Sequence, residues 1–367
     1  MKILQIIQRS QLRGAEIFSC QLSEQLQQDG HQVDMLVLFG KPSNLFQYPL
    51  PFHFLEADES KRWWDFSGYK KLSQFIRKGK YDLVQANAGD TLKYASLARK
   101  IYGFNAVLVF RNANKISGFL TSTPKRLINS FLMKEVDFVA SVSDECKLDF
   151  QQSYPSFKTN IASLPIGTKL LNTIPYASLQ EIGISGSGPF LLHVAGFVPE
   201  KNHRALIQIF ERILQKKPET TLLLAGEGKL KSEIEKLVAE KNLTHKVLFL
   251  GRRNDVLKIM GCCSAFVLPS LIEGLPGVIL EAFENKLPVI AYDTGGIKEV
   301  VITGKTGWLI DQGNEDAFAE SVITCLSSDN QAIIQNAYQL ILEKYSIPKI
   351  AEAFEKSYLK AINDNKG

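Results

Sequence analysis

The sequence predicts an α/β protein made of two Rossmann-like α/β/α domains that face each other across a cleft. Three observations support this prediction. Short apolar runs alternate with amphipathic helical segments along the chain, which is typical of parallel sheets covered by helices. The chain has 367 residues, more than a single hydrophobic core usually holds. Residues 171–188 lack periodicity and contain Pro175 and three glycines. They are predicted to be an interdomain linker.

Composition places the chain among ordinary globular proteins. Apolar residues make up 45% and charged residues 22% of it, and no apolar run approaches the ~18 residues of a membrane span. Met1 leads directly into a strand-like segment, so we expect no signal peptide. The five cysteines contain no Cys-x-x-Cys pair, which argues against a disulfide framework or a zinc site. We therefore expect a cytoplasmic protein.

Positive charge is concentrated in the first half of the chain. Residues 1–170 carry 22 Lys and Arg against 15 Asp and Glu, a net charge of +7, whereas the remainder has a net charge of −2. A basic half favours an anionic partner, either a membrane surface or an acidic acceptor. Nucleic acid is not expected, because no nucleic-acid-binding motif accompanies the charge. The alternative is that the excess charge serves solubility alone.

Hydrophobic periodicity predicts the elements of the first half in order. The predicted strands are 2–8, 32–38, 81–86, 107–110 and 136–142. Helices are expected after the loop Arg13–Glu16, around Tyr69–Ile76, at 123–134 with a basic and an apolar face, and after the N-cap Ser143. The segment 41–60 is predicted to be irregular.

Two adjacent tryptophans, Trp63 and Trp64, follow Lys61 and Arg62. Such a combination could dip into a membrane interface. The interpretation we favour is that both tryptophans belong to the core and that the basic residues are solvated.

The second half repeats the alternation of strands and helices. The predicted strands are 190–195, 222–225, 247–250, 265–268, 289–291 and 308–310. Helices are expected after Lys201, at 229–241, from Gly277, over two segments that end near 343, and at 347–362.

The segment 269–296 is the most informative part of the chain. A buried strand ends in a glycine-bearing loop, which leads into a helix at Gly277, so free N–H groups and a positive helix end favour a phosphate. Glu273 and Glu281 cannot bind phosphate themselves, but they can accept hydrogen bonds from sugar or ribose hydroxyls. The predicted ligand is a nucleotide sugar. The alternative is an ordinary helix end with solvated acids.

The motif in this segment resembles the donor-binding segment of the retaining GT-B glycosyltransferases of family 4. The family signature, Glu, seven residues, Glu, in a Ser-x-x-Glu-Gly setting followed by Pro-Val-x-x-x-Asp-x-Gly-Gly, matches Ser270, Glu273, Gly274, Glu281, Pro288, Val289, Asp293, Gly295 and Gly296. The resemblance implies a GT-B fold. It places an acceptor-side domain at 1–170, a nucleotide-sugar domain at 189–345, and a final helix, 346–367, that crosses back to the first domain.

The resemblance also implies donor-binding roles outside that segment. Lys201 matches the lysine of the family's Gly-Arg-x-x-x-x-Lys turn, which holds the diphosphate, whereas the arginine position falls on Gly196. Gly14 lies in a loop similar to the family's Gly-Gly-x-Glu, and Arg252 is a candidate contact to the base. The predicted donor-binding residues are Gly14, Gly196, Lys201, Arg252, Gly274, Leu275, Gly277, Val278 and Glu281.

Three residues are candidates for the acceptor. Asn87 follows a strand at whose end relatives commonly carry histidine, and Arg111 and Asn112 follow another. We therefore expect no histidine general base. The chain has no Asp-x-Asp motif, so a divalent metal is not expected, and neither is a cofactor beyond the nucleotide-sugar co-substrate.

The predicted function is retaining, metal-independent glycosyl transfer from a nucleotide-diphosphate-sugar to a glycan or lipid-linked acceptor in cell-envelope polysaccharide or lipopolysaccharide synthesis. Lys201 and the helix at Gly277 would stabilise the leaving phosphate, and Glu273 would hold the sugar and stabilise positive charge at the anomeric carbon. Two alternatives stay open: a nucleotide-sugar epimerase or disaccharide phosphorylase on the same scaffold, and a non-catalytic nucleotide-sugar-binding protein.

Overall fold

The computed structural model describes residues 1–11, 13–43, 46–120, 122–157, 160–170, 180–181, 183–184 and 188–365. The chain forms two compact units, one comprising Met1–Lys169 with Ser346–Gly367 and the other Leu170–Tyr345. The linker predicted at 171–188 lies largely outside the described residues.

The N-terminal unit is built on a seven-stranded parallel sheet with the order β3-β2-β1-β4-β5-β6-β7. Its strands are β1 Lys2–Ile7, β2 Gln32–Val37, β3 Phe52–Phe54, β4 Leu83–Ala86, β5 Val107–Asn112, β6 Phe138–Ser141 and β7 Asn160–Ser163. The helices between them are α1 Gly14–Gln28, α2 Phe66–Gly79, α3 Gly89–Tyr102, α4 Thr123–Met133 and α5 Asp144–Ser153. Helices cover both faces of the sheet, which explains why the central strands are buried on both sides.

The C-terminal unit is built on a six-stranded parallel sheet with the order β10-β9-β8-β11-β12-β13. Its strands are β8 Phe190–Val194, β9 Thr221–Ala225, β10 Val247–Gly251, β11 Ala265–Leu268, β12 Val289–Tyr292 and β13 Trp308–Ile310. Its helices are α6 His203–Lys216, α7 Lys231–Glu240, α8 Val256–Met260, α9 Gly277–Glu284, α10 Glu315–Ser327 and α11 Gln331–Leu340. The last helix, α12 Ile347–Asp364, belongs to the N-terminal unit and packs on α1.

The strand order reverses once in each sheet, between β1 and β4 and between β8 and β11. At such a switch point the connections on either side leave in opposite directions and open a crevice beyond the carboxyl ends of the strands. A ligand site in the C-terminal unit is therefore expected at the loops that follow β8 and β11.

Two expectations about the first half were wrong. Trp63 and Trp64 do not belong to the core, because their side chains are 41% and 75% exposed. The irregular segment at 41–60 includes strand β3, a three-residue strand at the sheet edge. Three residues are too few to show an alternating pattern in the sequence.

Candidate active site

The loops after β8 and β11 hold each other in place at the switch point. The first passes through a short 3-10 turn, Pro199–Lys201, and the second runs from Pro269 to the start of α9. The backbone N–H of Leu271 donates to the carbonyl of Glu200 at 2.8 Å, and Asn202 Nδ2 donates to the carbonyl of Pro269 at 3.1 Å. Residues that are about seventy positions apart are thereby fixed side by side.

Lys201 and Glu273 form a direct ion pair at this point. Lys201 Nζ donates to Glu273 Oε1 at 2.6 Å, and the Glu273 side chain is 6% exposed while that of Lys201 is 25% exposed. The ammonium group has three hydrogens, so it can keep this carboxylate and still donate to a second anion. The structure thus brings together the two residues that the sequence suggested for catalysis.

The turn after β12 fixes the Glu273 loop from the other side. Gly295 has φ +56°, and a Cβ added to it would lie 2.1 Å from the carbonyl oxygen of Glu273. The neighbouring Gly296 N–H donates to the carbonyl of Gly274 at 2.6 Å. Only glycine satisfies both the backbone conformation and the close approach at Gly295. This contact accounts physically for the paired glycines at the end of the predicted motif.

Helix α9 begins at Gly277, immediately after Pro276, as predicted. Within the described residues no side-chain hydrogen bond caps this helix, so the N–H groups at its start have no side-chain acceptor. The positive end of the helix therefore lies beside the ion pair's loop, where an anion is stabilised.

Glu281 lies one turn into α9. Burial, together with the carboxylate of Glu284, raises the pKa of Glu281 to about 7. Within the described residues, the side chain of Glu281 forms no hydrogen bond or ion pair. A carboxyl group held in this way can accept hydrogen bonds from a diol once it ionises.

A pair of buried histidines lies near Lys201, and no motif in the sequence predicted it. His193 Nδ1 lies 2.8 Å from the carbonyl oxygen of Val267, and the rings of His193 and His203 meet edge to face at 4.8 Å. Phe197 stacks on His203 at 4.1 Å. Burial lowers the pKa of His193 to about 4 and that of His203 to about 2, so both imidazoles are neutral. The one available signal was a histidine inside the apolar run of β8.

Gly196 and Arg252 differ in how they relate to this site. A Cβ added to Gly196 would meet nothing closer than the carbonyl of Glu227 at 3.5 Å, so the backbone at the family's arginine position accommodates a Cβ atom. Arg252 is exposed at the end of β10, which is separated from β8 by β9. Among the residues that the structure describes, no hydrogen bond or ion pair joins Arg252 to Lys201 or Glu273, and its contact to the base stays a prediction. Val278 is in the first turn of α9.

The remaining predicted residues lie in the N-terminal unit. Gly14 is the first residue of α1, and a Cβ added there would meet nothing within 4 Å. Asn87 is 2% exposed, and its Nδ2 donates to Gln5 Oε1 at 2.9 Å while its Oδ1 accepts from Gln85 Nε2 at 2.9 Å. Asn112 Nδ2 donates to Ser141 Oγ and to the carbonyl of Cys146, both at 3.2 Å. Both amide groups are thus engaged within the unit.

Arg111 is buried without a counterion in hydrogen-bond contact. Its guanidinium carbon lies 4.3 Å from the centre of the Phe18 ring, and its Nε and Nη1 atoms have no hydrogen-bond partner in the described part of the chain. Burial lowers the pKa of Arg111 to about 10, and nearby Tyr358 and Glu16 act in the opposite direction. Arg111 is therefore the acceptor candidate whose hydrogen-bonding groups are not used inside the unit.

The described residues contain no cluster of three or more His, Cys, Asp or Glu side chains suited to a metal ion. None of their helices is both long and apolar enough to cross a bilayer.

The chain has two α/β units, each built on a parallel sheet with a switch point. This architecture defines a protein of the GT-B class, and solved structures share the fold. The chain superimposes on the Anabaena protein HepE in complex with UDP and glucose with a TM-score of 0.82, at 22% identity, over 97% of this chain and 99% of that one. It is similar to sucrose-phosphate synthase from Thermosynechococcus elongatus with a TM-score of 0.82, at 20% identity, over 99% and 100% of the two chains.

The family assignment comes from sequence. The model described as Glycosyltransferase Family 4 matches residues 12–169, and the model described as Glycosyl transferases group 1 matches residues 177–340. The chain therefore belongs to the family 4 glycosyltransferases.

Two curated relatives illustrate the range of the family. The chain is 25% identical to the N-acetyl-alpha-D-glucosaminyl L-malate synthase of Bacillus anthracis, over 96% of this chain and 95% of the relative. It is 23% identical to an Escherichia coli UDP-Gal:alpha-D-GlcNAc-diphosphoundecaprenol alpha-1,3-galactosyltransferase, over 81% and 80% of the two chains.

Proposed function

We propose that the chain is a retaining glycosyltransferase that transfers a sugar from a nucleotide-diphosphate-sugar to a hydroxyl acceptor in the synthesis of a cell-surface polysaccharide or lipid-linked glycan. The observation that carries the proposal is the ion pair between Lys201 and Glu273 beside the start of α9. In the proposed complex the cation and the helix N-terminus hold the diphosphate, and the carboxylate accepts hydrogen bonds from the sugar.

Each group has a role in the proposed reaction. As the glycosidic bond breaks, negative charge grows on the leaving phosphate oxygen, and Lys201 and the N–H groups of Leu275, Gly277 and Val278 stabilise it. Glu273 accepts hydrogen bonds from the sugar hydroxyls and stabilises positive charge at the anomeric carbon. Glu281 accepts hydrogen bonds from the ribose hydroxyls.

Retention is proposed to follow from attack on the same face that the leaving group departs from, with the leaving phosphate oxygen taking the acceptor's proton. The names of both curated relatives specify alpha products, which supports retention from an alpha-linked donor. The acceptor's oxygen forms the new bond to the anomeric carbon, and the nucleoside diphosphate leaves with the bonding electrons. Positive charge from the protein replaces that of a metal ion, so EDTA should leave the rate unchanged.

The donor is identified first by thermal shift with UDP, GDP, ADP and their sugars, because a ligand that binds only the folded state raises the melting temperature. The UDP and UDP-glucose complexes of HepE make UDP the first nucleotide to test. A donor that raises the melting temperature is then used in the transfer assay.

Glu273→Gln should lower kcat by about 10²–10³ while nucleotide affinity changes little, since it removes charge at the reacting carbon. Lys201→Met should weaken nucleoside diphosphate binding by about tenfold to a hundredfold, because a charge-assisted hydrogen bond is lost. Both are measured by steady-state kinetics and calorimetry.

The matched controls are Lys216→Met and Glu320→Gln, which remove an exposed ion pair of the same 2.6 Å length elsewhere in the C-terminal unit. These variants should behave like the wild type. Tight donor binding with no transfer to any acceptor in a broad panel would contradict the proposal, as would wild-type kinetics in Glu273→Gln.

A further inference from the structure

Several large apolar side chains of the N-terminal unit are exposed. Trp64 is 75% exposed and Leu127, in α4, is 66% exposed. Within the 11 residues of α4, the buried side chains are Leu132 and Met133 alone. We call the following residues the apolar face: Trp63, Trp64, Phe66, Leu127, Ile128 and Phe131.

Helix α3 connects the two parts of the apolar face. Lys93 Nζ lies 3.9 Å from the ring centre of Trp63, and Lys100 Nζ lies 4.9 Å from that of Phe131. Residues seven positions apart on a helix share one side and are separated by about 10 Å. The tryptophan cluster and the α4 cluster therefore lie at two points along the same side of α3, and they form one continuous surface.

The segments that carry this surface hold more cations than carboxylates. Residues 66–81, which include α2, hold five Lys and Arg, and residues 112–134, which include α4, hold four. The carboxylates next to them are Asp58, Glu59 and Asp65 around the tryptophans, and Asp90 and Glu135, which form ion pairs with Lys93 and Lys100. The exposed cations of α2, α4 and the residue after α4 are Lys70, Lys71, Arg77, Lys78, Lys125, Arg126 and Lys134.

Charge decides which partner fits the apolar face. A second copy of the chain would bring the same positive segments into contact, so like charges would oppose that pairing. An anionic bilayer satisfies both features, because aromatic and aliphatic side chains enter the headgroup region while Lys and Arg remain beside the lipid phosphates.

We propose that this face docks the N-terminal unit on the surface of an anionic phospholipid bilayer, with Trp63, Trp64, Leu127, Ile128 and Phe131 inserted at the interface. The proposal does not depend on glycosyl transfer. Binding combines an apolar and an electrostatic contribution, as stable attachment without a membrane span requires. Each cation near the surface contributes about fivefold in affinity, and salt weakens this part.

The test is cosedimentation of the full chain with vesicles of phosphatidylcholine alone and with 30% phosphatidylglycerol. We expect binding to the anionic vesicles, reduced at high salt, and little binding to the neutral ones. The double variant Leu127→Glu/Ile128→Glu should reduce anionic binding at least tenfold. The double variant Lys70→Glu/Lys71→Glu should reduce it similarly without touching an apolar residue.

Leu359→Glu and Ile302→Glu serve as controls, since these side chains lie outside the apolar face and are 43% and 42% exposed. Both variants should leave vesicle binding unchanged.

Vesicles with brominated acyl chains add an independent readout. They should quench tryptophan fluorescence in the wild type but not in Trp63→Phe/Trp64→Phe, which leaves Trp308 of the C-terminal unit. The proposal is overturned if anionic vesicles fail to bind the wild type, if the controls lose binding equally, or if light scattering shows a dimer that Leu127→Glu/Ile128→Glu dissociates.

Discussion

Glu281 has a carboxyl group whose pKa, raised to about 7 by burial and by Glu284, falls in the physiological range. In the folded protein without ligand it is largely protonated at pH 6 and largely ionised at pH 8. A protonated carboxyl donates one hydrogen bond and accepts fewer, whereas a carboxylate can accept from both hydroxyls of a ribose. The ionised form is therefore the one that we expect to bind nucleotide.

The first prediction concerns the pH dependence of nucleotide affinity. Between pH 6 and pH 8 the ionised fraction of a group with this pKa rises by about tenfold, so affinity for the identified nucleoside diphosphate should rise by about the same factor. Calorimetry at several pH values measures it. The phosphate of the ligand also titrates, so Glu281→Gln is the matched control and should show the smaller dependence due to the ligand alone. Equal pH profiles for the two proteins would contradict the assignment.

The proposed roles of Lys201 and Glu273 could be predicted from their positions in the sequence. Their roles came from a family signature, and the structure adds that they are in contact and that Glu273 is almost fully buried. The acceptor candidates show the opposite case. Asn87 and Asn112 were proposed because of their position after strands, but the structure shows their amides hydrogen-bonded inside the unit. A sequence shows which residue ends a strand, but not which neighbours its side chain will bind.

At the scale of elements, the β8–α6 connection carries two neutral histidines that oppose acidification. His193 and His203 have pKa values lowered by burial, to about 4 and about 2, so the unfolded chain binds their protons more readily below pH 6.5. Their contribution to stability is therefore present above pH 6.5 and is lost as the pH falls. At pH 5 the loss is about 2 kcal/mol for each histidine.

The second prediction is that His203→Leu makes the C-terminal unit less sensitive to acid. Between pH 7.5 and pH 5, the free energy of unfolding should fall by about 2 kcal/mol less in this variant than in the wild type. Glu281 acts in the opposite direction, because its raised pKa favours the folded state at low pH, but this contribution cancels in the comparison.

Urea unfolding followed by Trp308 fluorescence, in a Trp63→Phe/Trp64→Phe background, reports on the C-terminal unit alone. Substitution of the exposed His245 by Gln is the control, and it should leave the wild-type pH dependence intact. If His203→Leu and His245→Gln respond to acid identically, the buried pair does not have the proposed effect.

Several elements were predicted correctly from the sequence, but the 14-residue helix α3 was not predicted. The bounds of β11 and the start of α9 agree with the prediction, and Ser143 caps α5 by accepting from the Cys146 N–H at 3.1 Å. Strand β3 was missed because its three residues gain their pairing from β2 rather than from a pattern of their own. The exposed tryptophans were placed in the core because burial is the usual fate of such side chains, and the sequence does not show which ones the fold leaves at the surface.

At the scale of the whole molecule, the chain returns to its first unit after completing the second. Helix α12 packs on α1, with Phe354 at 5.9 Å from Phe18 between ring centres. The Tyr358 hydroxyl donates to Gln85 Oε1 at 2.6 Å and accepts from Gln5 Nε2 at 3.4 Å. The last helix thus completes both the apolar core and the buried polar network at the switch point of the N-terminal sheet.

The third prediction is that a chain ending at Tyr345 loses the N-terminal unit and keeps the C-terminal one. The truncation removes four large buried side chains, Ile350, Phe354, Tyr358 and Ile362, each worth about 2 kcal/mol, and leaves Gln85 and Gln5 without their tyrosine partner. The sum is comparable to the whole stability of a typical domain. Limited proteolysis should therefore digest the N-terminal unit and leave a resistant fragment that corresponds to Leu170–Tyr345.

A chain ending at Asp364 and the exposed-site variant Leu359→Ala are the controls, and in both of them the two units should resist digestion as in the full chain. Because Lys201, Glu273 and Glu281 all lie in the fragment, it should also retain measurable affinity for the nucleoside diphosphate. Equal protease resistance of the N-terminal unit with and without α12 would show that the unit folds without its last helix.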